Sequence, residues 1–313
     1  MSETASPSVT IAVLTYLRPD DIAATLPALV DQAERYGGKA KVLVVDNDRE
    51  ASARAIVEPH VGTVVDYVVE ATPGIAAARN RAIDECTTDL LVFIDDDERP
   101  TTEWLRLMVD TFLAHPGTLG VLGLVESDFA GEPDPWLLAG GFFDRLCPPT
   151  GTEIFVVATN NLLLDKRLLD RESLRFDLRY GLSGGSDTMF SHEARDRGLS
   201  FRFCAEALVL DAVPPQRMTR EWVLRRSYRK GNSWSRTLLQ VTEPGPARLA
   251  TRLRLTAGGA GRIVMGTVKW LVGKATRSLR WDADGLRVVY RGAGIAAGAW
   301  GHAYAEYARP VSP

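Results

Sequence analysis

Four consecutive acidic residues, Asp95 to Glu98, directly follow the apolar segment 90–94. That segment has the composition of a buried parallel strand, and such strands deliver the next residues to the sheet edge where α/β proteins bind ligands. Carboxylates crowded on one short loop repel one another, and a divalent cation relieves that repulsion. The run therefore predicts a metal site. The alternative is a solvated acidic turn in which one Asp caps the following helix.

Another acid, Asp187, stands where a glycine-rich loop, 180–186, meets the helix predicted at 188–197. A flexible loop beside a strand end is a common position for a catalytic carboxylate. An Asp at this position is also a common helix N-cap. The spacing is compatible with both roles.

The segments around these acids alternate between apolar, β-branched runs and helical patterns. The sequence predicts strands at 9–14, 42–45, 64–69, 90–94, 119–125, 154–158 and 162–164, and helices at 20–32, 52–57, 75–84 and 103–113. This alternation is typical of an α/β fold with a mostly parallel central sheet and flanking helices. Loops rich in Gly and Pro at 131–136 and 147–151 predict a mobile or substrate-shaped wall.

Composition places the chain among ordinary globular proteins. Its 313 residues are 45% hydrophobic and 25% charged, which suits one large α/β domain with an appendage. We predict a catalytic domain at 1–240 and a basic, helical C-terminal segment at 241–313. The first residues lack the features of a secretory signal, so we expect a cytoplasmic protein. Three cysteines without metal-ligand spacing predict core or surface thiols.

Charge is distributed unevenly along the chain. Residues 214–313 contain 18 Lys and Arg against 5 Asp and Glu, whereas residues 1–213 contain 19 against 35. The basic part suits ligand phosphates, an anionic lipid surface or nucleic acid, and the alternative is a solvated helical hairpin. The basic part has no recognisable nucleic-acid-binding module, so we expect no nucleic-acid partner.

Two apolar stretches in the basic part, 263–272 and 292–300, are too short and too interrupted by cations to predict a membrane span. One hypothesis is that they lie flat at a membrane surface, with Trp270, Trp281 and Trp300 at the headgroup level. The other is that they form ordinary helices packed on the catalytic body.

Five motifs, at 9–16, 44–47, 73–80, 93–97 and 184–187, resemble in order and spacing those of the family 2 inverting glycosyltransferases. Within that family the chain is most similar to bacterial exopolysaccharide enzymes of the succinoglycan glucosyltransferase type. The resemblance covers about residues 9–235. It implies a GT-A fold with a Rossmann-like sheet, a nucleotide-sugar donor, usually a UDP-sugar, and a Mg²⁺ or Mn²⁺ ion.

The resemblance also implies how the donor is bound. Asp46 would contact the uracil or ribose side of the nucleotide, with Thr15 and Arg79 close by. Asp95 would face the ribose or the donor sugar, and Asp96 belongs to the same donor-binding set.

For the reaction itself, the resemblance implies that Asp97, with Asp95, holds the metal that bridges the diphosphate. Asp187 falls where the family keeps its general base. The family's usual Glu before that base is Ser186 here, a departure that bears on acceptor preference more than on activity. Three arginines near Trp222 are candidates for closing over the diphosphate, because guanidinium groups suit phosphate geometry; phospholipid or solvent contact is the alternative. They are Arg225, Arg226 and Arg229.

The sequence thus predicts an inverting hexosyltransferase that moves a sugar from a nucleotide sugar to a hydroxyl of a saccharide or lipid-linked acceptor. We expect it in the cytoplasm, peripheral on the inner face of the cell membrane. The alternative function is a catalytically inactive nucleotide-sugar- or membrane-binding module of a polysaccharide assembly. A phosphohydrolase of the haloacid dehalogenase type is disfavoured because its Asp-x-Asp pair is expected near the N-terminus. A nucleotidyltransferase is disfavoured because 15–20 is not a glycine-rich phosphate loop.

Overall fold

The computed structural model describes residues 6–62, 64–181 and 184–302. They divide into two compact units. The first comprises residues within Met1–Glu126, Arg145–Leu182 and Ser186–Ala212, and the second comprises residues within Ser127–Asp144, Ser183–Gly185 and Val213–Pro313. The boundary that we predict after residue 240 falls inside the second unit and stays a prediction. Residues 303–313 of the predicted C-terminal segment lie outside the described residues.

The first half of the sheet is parallel, with the strand order β3-β2-β1-β4. Its strands are β1 (Val9–Thr15), β2 (Ala40–Asp46), β3 (Val65–Val69) and β4 (Leu90–Asp95). In the register of this sheet Thr15 lies beside Asp46, and Leu14 lies beside Asp95. Consequently, polar residues from three strands reach one sheet edge together.

Helices cover both faces of this sheet because side chains alternate along each strand. The helices are α1 (Pro19–Arg35), α2 (Arg54–Val57), α3 (Ile75–Glu85) and α4 (Trp104–Ala114). Ile11 and Val13 of β1 belong to the core cluster that contains side chains of α1 and α4, whereas Ala12 belongs to the cluster under α3. The α/β architecture predicted from the alternating pattern is confirmed.

An antiparallel half continues the sheet in the order β4-β8-β6-β9-β5, with β7 pairing β9. Its strands are β5 (Glu98–Pro100), β6 (Gly120–Phe129), β7 (Glu153–Ile154), β8 (Asn161–Asp165) and β9 (Phe201–Val213). At about 4.8 Å per strand, β4 and β5 would lie about 19 Å apart in a flat sheet. The three peptide links from Asp95 to Glu98 reach at most about 11 Å. The sheet must therefore curl, and the acidic turn joins its two ends.

The strand predicted at 154–158 is wrong beyond Ile154. Phe155 and Val156 are exposed rather than buried in a sheet. The backbone N–H of Val157 donates to the Ser191 side chain, so a side chain replaces the strand partner that the apolar run suggested. Three short helices complete the part of the chain before residue 200: α5 (Pro135–Ala139), α6 (Lys166–Arg171) and α7 (Ser186–Asp196).

The second unit consists mainly of three helices, α8 (Arg220–Gln240), α9 (Pro246–Thr276) and α10 (Leu279–Ala299). Glycines let α9 and α10 approach backbone to backbone. A Cβ on Gly266 would lie 2.7 Å from the Gly285 carbonyl oxygen, and one on Gly259 would lie 2.7 Å from that of Gly292. No helix among the described residues combines the length and apolarity needed to cross a membrane.

Candidate active site

The acidic turn after β4 is largely buried. Asp96 is 4% exposed and Glu98 is 1% exposed, and helix α4 receives no side-chain cap from the run. The Glu98 carboxylate closes the turn by accepting from the Asp95 backbone N–H at 3.1 Å and from the Asn160 amide at 2.8 Å. Burial, followed by the Asp95 charge, raises the pKa of Glu98. The alternative of a solvated acidic turn that caps α4 is therefore wrong.

Arg18, which directly precedes α1, supplies a positive charge to this turn. Its Nη1 lies 3.0 Å from Asp96 Oδ1 and 3.3 Å from Asp97 Oδ2. Sequence reasoning did not select this residue. The available signal was a cation three residues after Thr15, the last residue of a strand that ends at the same sheet edge as the acids.

The carboxylates of the turn retain unbalanced negative charge despite Arg18. Burial, followed by the neighbouring Asp97 charge, raises the pKa of Asp95 to about 7. Burial also raises the pKa of Asp96 to about 6, against the opposing effect of Arg18. A bound divalent cation would favour the ionised forms of both groups.

The residues present fit a Mg²⁺ or Mn²⁺ ion that takes few ligands from the protein. Such ions prefer oxygen ligands and commonly use one or two carboxylates together with substrate phosphates and water. Asp95 and Asp97 offer carboxylates of this kind at one turn. Within ranges 6–62, 64–181 and 184–302, no group of three or more His, Cys, Asp or Glu residues is arranged to hold a metal.

Asp46, at the end of β2, is fully buried and holds the loop that follows it. Its Oδ1 accepts from the Asp48 backbone N–H at 3.0 Å, and its Oδ2 accepts from the Ala53 backbone N–H and the Tyr67 hydroxyl, each at 2.8 Å. Burial and this hydrogen bond to Asp46 raise the pKa of Tyr67. The structure thus gives Asp46 a loop-shaping role, and its contact with the nucleotide stays a prediction.

Asn47 connects β2 to the segment that leads into α3. Its amide donates to the carbonyls of Glu70 and Thr72, and its Oδ1 accepts from the Gly74 backbone N–H at 2.9 Å. Gly74 has a φ of 118°, and a Cβ there would lie 2.9 Å from the Gly181 carbonyl carbon. Glycine is required at this position because an L side chain would meet both backbone strain and a close neighbouring backbone.

Arg79 of α3 lies against the predicted general base. Its Nη1 donates to Ser186 Oγ at 2.6 Å and to Asp187 Oδ1, and its guanidinium lies 5.3 Å from the ring centre of Phe176. The positive charge of Arg79 and the negative charge of Asp187 both act on the pKa of Asp95. The structure therefore brings Asp187 and the acidic turn to one site. Contact between Arg79 and the nucleotide stays a prediction.

Asp187 lies in the first turn of α7, because that helix begins at Ser186. The N-cap alternative is therefore not the arrangement observed. Among the described residues, the donors to its carboxylate all contact Oδ1: Arg79, and at 3.5 Å the hydroxyls of Ser186 and Thr159. None of these donors contacts the second oxygen, Oδ2.

The remaining predicted site residues fall in both units. Thr15 ends β1, is 3% exposed, and accepts the Asn47 backbone N–H through its carbonyl oxygen. Arg225 and Arg226 lie on α8 in the second unit, where Arg225 pairs with Glu221 at 2.6 Å and Arg226 lies over the Trp222 ring. Their contact with the donor diphosphate stays a prediction.

A sequence model of the family described as Glycosyl transferase family 2 matches residues 10–170, which include the β1, β2 and β4 strand ends. The chain belongs to glycosyl transferase family 2. The succinoglycan biosynthesis protein ExoM of Rhizobium meliloti (strain 1021) is 34% identical over 235 residues, which are 74% of this chain and 75% of that protein. A glucosyl-dolichyl phosphate glucuronosyltransferase of Haloferax volcanii is 29% identical over 129 residues, 40% of each chain.

Two solved structures share the fold. A mannosyltransferase, PcManGT, from Pyrobaculum calidifontis in complex with GDP-Man and Mn²⁺ superposes with a TM-score of 0.58 at 19% identity, covering 92% of this chain and 86% of that one. S. aureus TarS 1–349 in complex with UDP-GlcNAc superposes with a TM-score of 0.54 at 15% identity, covering 90% of each chain. The GT-A fold implied by the sequence resemblance is confirmed.

Proposed function

We propose that this glycosyltransferase is an inverting hexosyltransferase that moves a sugar from a UDP-sugar to a hydroxyl of a saccharide or lipid-linked acceptor. The observation that carries the proposal is the nearness of Asp187 to the acidic turn: Arg79 donates to Asp187, and the charges of both residues act on Asp95, although 92 positions separate Asp187 from Asp95 in the chain. An acid for the acceptor and an acidic turn for the donor are what a single-displacement transfer requires.

Asp187 is the proposed general base. A sugar hydroxyl is a weak nucleophile at neutral pH, so a carboxylate must take its proton as the hydroxyl oxygen bonds to the anomeric carbon. The bond from that carbon to the diphosphate oxygen breaks on the opposite face, and inversion follows. Arg79 fixes the Asp187 carboxylate through Oδ1, which leaves Oδ2 to receive the proton.

Asp97 and Asp95 are the proposed ligands of a Mg²⁺ or Mn²⁺ ion. When bound, the ion supplies positive charge where the departing diphosphate becomes more negative. Arg18, already 3.3 Å from Asp97 Oδ2, holds that side chain in place. The UDP-GlcNAc of TarS and the GDP-Man and Mn²⁺ of PcManGT support a nucleotide-sugar donor and a divalent ion for this chain as well.

We also propose attachment of this enzyme to the inner face of the cell membrane through α9. Apolar side chains on this helix are more than half exposed: Leu249, Leu253, Val264, Met265, Val268 and Leu271. The same helix carries Arg248, Arg252, Arg254, Arg262, Lys269 and Lys274 but no acidic residue. Exposed apolar side chains combined with cations suit an anionic lipid surface.

The test of the transfer reaction is release of UDP or GDP from a panel of nucleotide sugars, with and without saccharide acceptors. The Asp187→Asn variant should lower the transfer rate by about 10² or more, while donor affinity changes little. The matched control is Asp196→Asn, an exposed acid at the other end of α7. It should transfer at the unaltered rate.

Two results would contradict the proposal. Near-normal transfer by Asp187→Asn would reduce Asp187 to a structural partner of Arg79. Absence of turnover with every donor, despite nucleotide binding, would favour the inactive binding module. Melting temperatures of both variants show whether a lost rate reflects lost chemistry or lost folding.

A further inference from the structure

The second unit contains a basic cavity of about 270 Å³ between α8, α10 and the segment 141–144. The cations that line it are Arg226 and Lys230 from α8 and Arg287 and Arg291 from α10. Asp144 is the carboxylate among its lining residues. Asp284, outside the lining, pairs with Arg287, so four cations stand against two nearby carboxylates. The remaining excess of positive charge around so small a volume favours occupation by an anion.

Close packing of the two helices brings these charges together. A Cβ on Gly231 of α8 would lie 2.2 Å from the Arg291 carbonyl oxygen of α10. One on Gly294 of α10 would approach the Tyr228 carbonyl of α8 within 1.9 Å. The helices therefore touch backbone to backbone at these glycines, and the longer side chains beside them must converge around the cavity.

Arg287 is oriented before any ligand binds. Its Nη1 donates to the Gly141 carbonyl at 3.0 Å, its Nη2 donates to Asp284, and its guanidinium lies 5.9 Å from the ring centre of Phe142. Arg226 is likewise held over the Trp222 ring at 5.2 Å. Guanidinium groups with restricted rotation lose less entropy when they bind an anion.

We propose that this cavity binds a phosphoryl group other than the donor's, a phosphate monoester or a diphosphate, and that Arg226 therefore serves this anion rather than the donor diphosphate. Arginine forks match the geometry of phosphate oxygens, and several cations suit a multiply charged group. The volume lies below the roughly 300–1,000 Å³ of pockets that enclose drug-sized ligands. It therefore suits a phosphorylated head group rather than a whole nucleotide sugar.

The bound phosphoryl group could belong to a lipid or to a soluble molecule. Binding of the anion does not depend on the transfer reaction. Only its use to bind the phosphate of a lipid-linked acceptor rests on the proposed function.

The first experiment measures pyrophosphate binding to the full chain by calorimetry in EDTA, so that no divalent metal bridges pyrophosphate to the acidic turn. The Lys230→Gln and Arg291→Gln variants, both exposed, should each weaken binding about three- to tenfold. The control Arg280→Gln removes an exposed arginine from the same helix outside the cavity and should bind as the unaltered protein does. Asp144→Asn should strengthen binding, because it removes the opposing charge.

The proposal is overturned if pyrophosphate does not bind, if Arg280→Gln weakens binding as much as Arg291→Gln, or if Asp144→Asn leaves binding unchanged. Asp187→Asn should bind pyrophosphate normally even where transfer is lost. Failure of the anion site is thus distinguishable from failure of the proposed reaction.

A second experiment identifies the source. Vesicles with phosphatidic acid carry a phosphate monoester, and vesicles with phosphatidylglycerol at matched charge carry a diester. A larger loss of phosphatidic acid binding in Arg291→Gln than in Arg280→Gln supports a lipid-borne phosphate. Equal vesicle binding by the two variants, with pyrophosphate binding still selectively weakened in Arg291→Gln, supports a soluble phosphate.

Discussion

At the scale of single residues, the four acids of the acidic turn differ in their burial and in the charged groups around them. Glu98 accepts hydrogen bonds at both carboxylate oxygens and shapes the turn, whereas Asp97 accepts a hydrogen bond from Arg18. Asp95 lies where the charges of Arg79 and Asp187 also act. Four adjacent acids thus have different surroundings, and only part of the run is suited to bind a cation.

The metal hypothesis is tested by Asp97→Asn. We expect this variant to lose the Mn²⁺-dependent part of UDP affinity, because an amide is a weaker ligand for a hard cation than a carboxylate. Calorimetry of UDP binding with Mn²⁺ and with EDTA measures the difference. Glu34→Gln, an exposed acid of α1, is the control and should keep the Mn²⁺ dependence. Equal Mn²⁺ dependence in Asp97→Asn would remove Asp97 from the metal site.

Asp95, Asp97 and Asp187 were selected from the sequence because each follows a local signal, an apolar strand or a glycine-rich loop, and their roles stay predictions. The pairing of Arg18 with Asp96 joins residues 78 positions apart, and that of Arg79 with Ser186 joins residues 107 apart. No local pattern reports such contacts. They depend on which strand ends the sheet brings together.

At the scale of elements, the parallel strands were predictable because continuous apolar runs mark buried strands. Strand β9 mixes charged and apolar residues, and β5 has three residues that look like the continuation of an acidic loop. Helix α9 buries Gly259, Gly266 and Gly273, at intervals of seven residues, which the apolar pattern alone does not reveal. The structure uses these glycines to pack α9 against the backbone of α10.

The packing role of these glycines predicts opposite effects for one substitution at two sites of α9. Gly266→Ala should lower the free energy of unfolding by about 1–3 kcal/mol, because its Cβ would meet backbone atoms of α10 closer than 3.0 Å. Gly261→Ala, whose Cβ would meet nothing within 4 Å, should raise it by up to about 1 kcal/mol through helix propensity. Denaturant unfolding measures both. Equal effects would contradict the close helix contact.

An ionic contact also joins α9 to α10, and its contribution depends on pH. Although burial opposes them, hydrogen bonds from Lys269 and charges of Arg287 hold the pKa of Asp284 below its usual value. A depressed folded-state pKa stabilises the protein above the unfolded value of about 3.9, and this contribution is lost as pH falls through the folded value. Asp284→Asn should therefore destabilise by about 1–2 kcal/mol at pH 7.

Thermal unfolding over a pH series checks this expectation. The difference between Asp284→Asn and the unaltered protein should shrink as the pH falls below about 4. A difference that stayed constant from pH 7 to pH 3 would show that the Asn side chain disturbs packing rather than removing a charge.

At the scale of the whole molecule, the exposed side chains of α9 predict salt-sensitive membrane binding. Each basic residue near an anionic surface contributes about 1 kcal/mol, so a few engaged together give reversible attachment. Of the predicted headgroup anchors, Trp281 and Trp300 are exposed, and each ring lies beside a cation, Lys269 or Arg252. Trp270 is half-buried.

We expect full-length protein to pellet with anionic vesicles at low salt and to be released as salt rises. Val268→Asp, which places a negative charge on the exposed surface of α9, should weaken pelleting several-fold. Leu113→Asp, an equally exposed apolar site on α4, should not. Loss of binding in both variants, or equal binding to neutral vesicles, would contradict membrane attachment through α9 and leave it an ordinary surface helix.

The curl of the sheet has a consequence for the order in which the enzyme is made. Strand β5, directly after the acidic turn, pairs with β9, and the Asp97 carbonyl accepts the Ala212 backbone N–H at 3.0 Å. Chains emerge from the ribosome N-terminus first, and contacts between distant segments form slowly because a long loop must close. The parallel strands can thus assemble while residues 95–98 still belong to an open loop. The acidic turn takes its final position only when the segment around residue 212 has been synthesised, so any activity that depends on this turn must wait for β9.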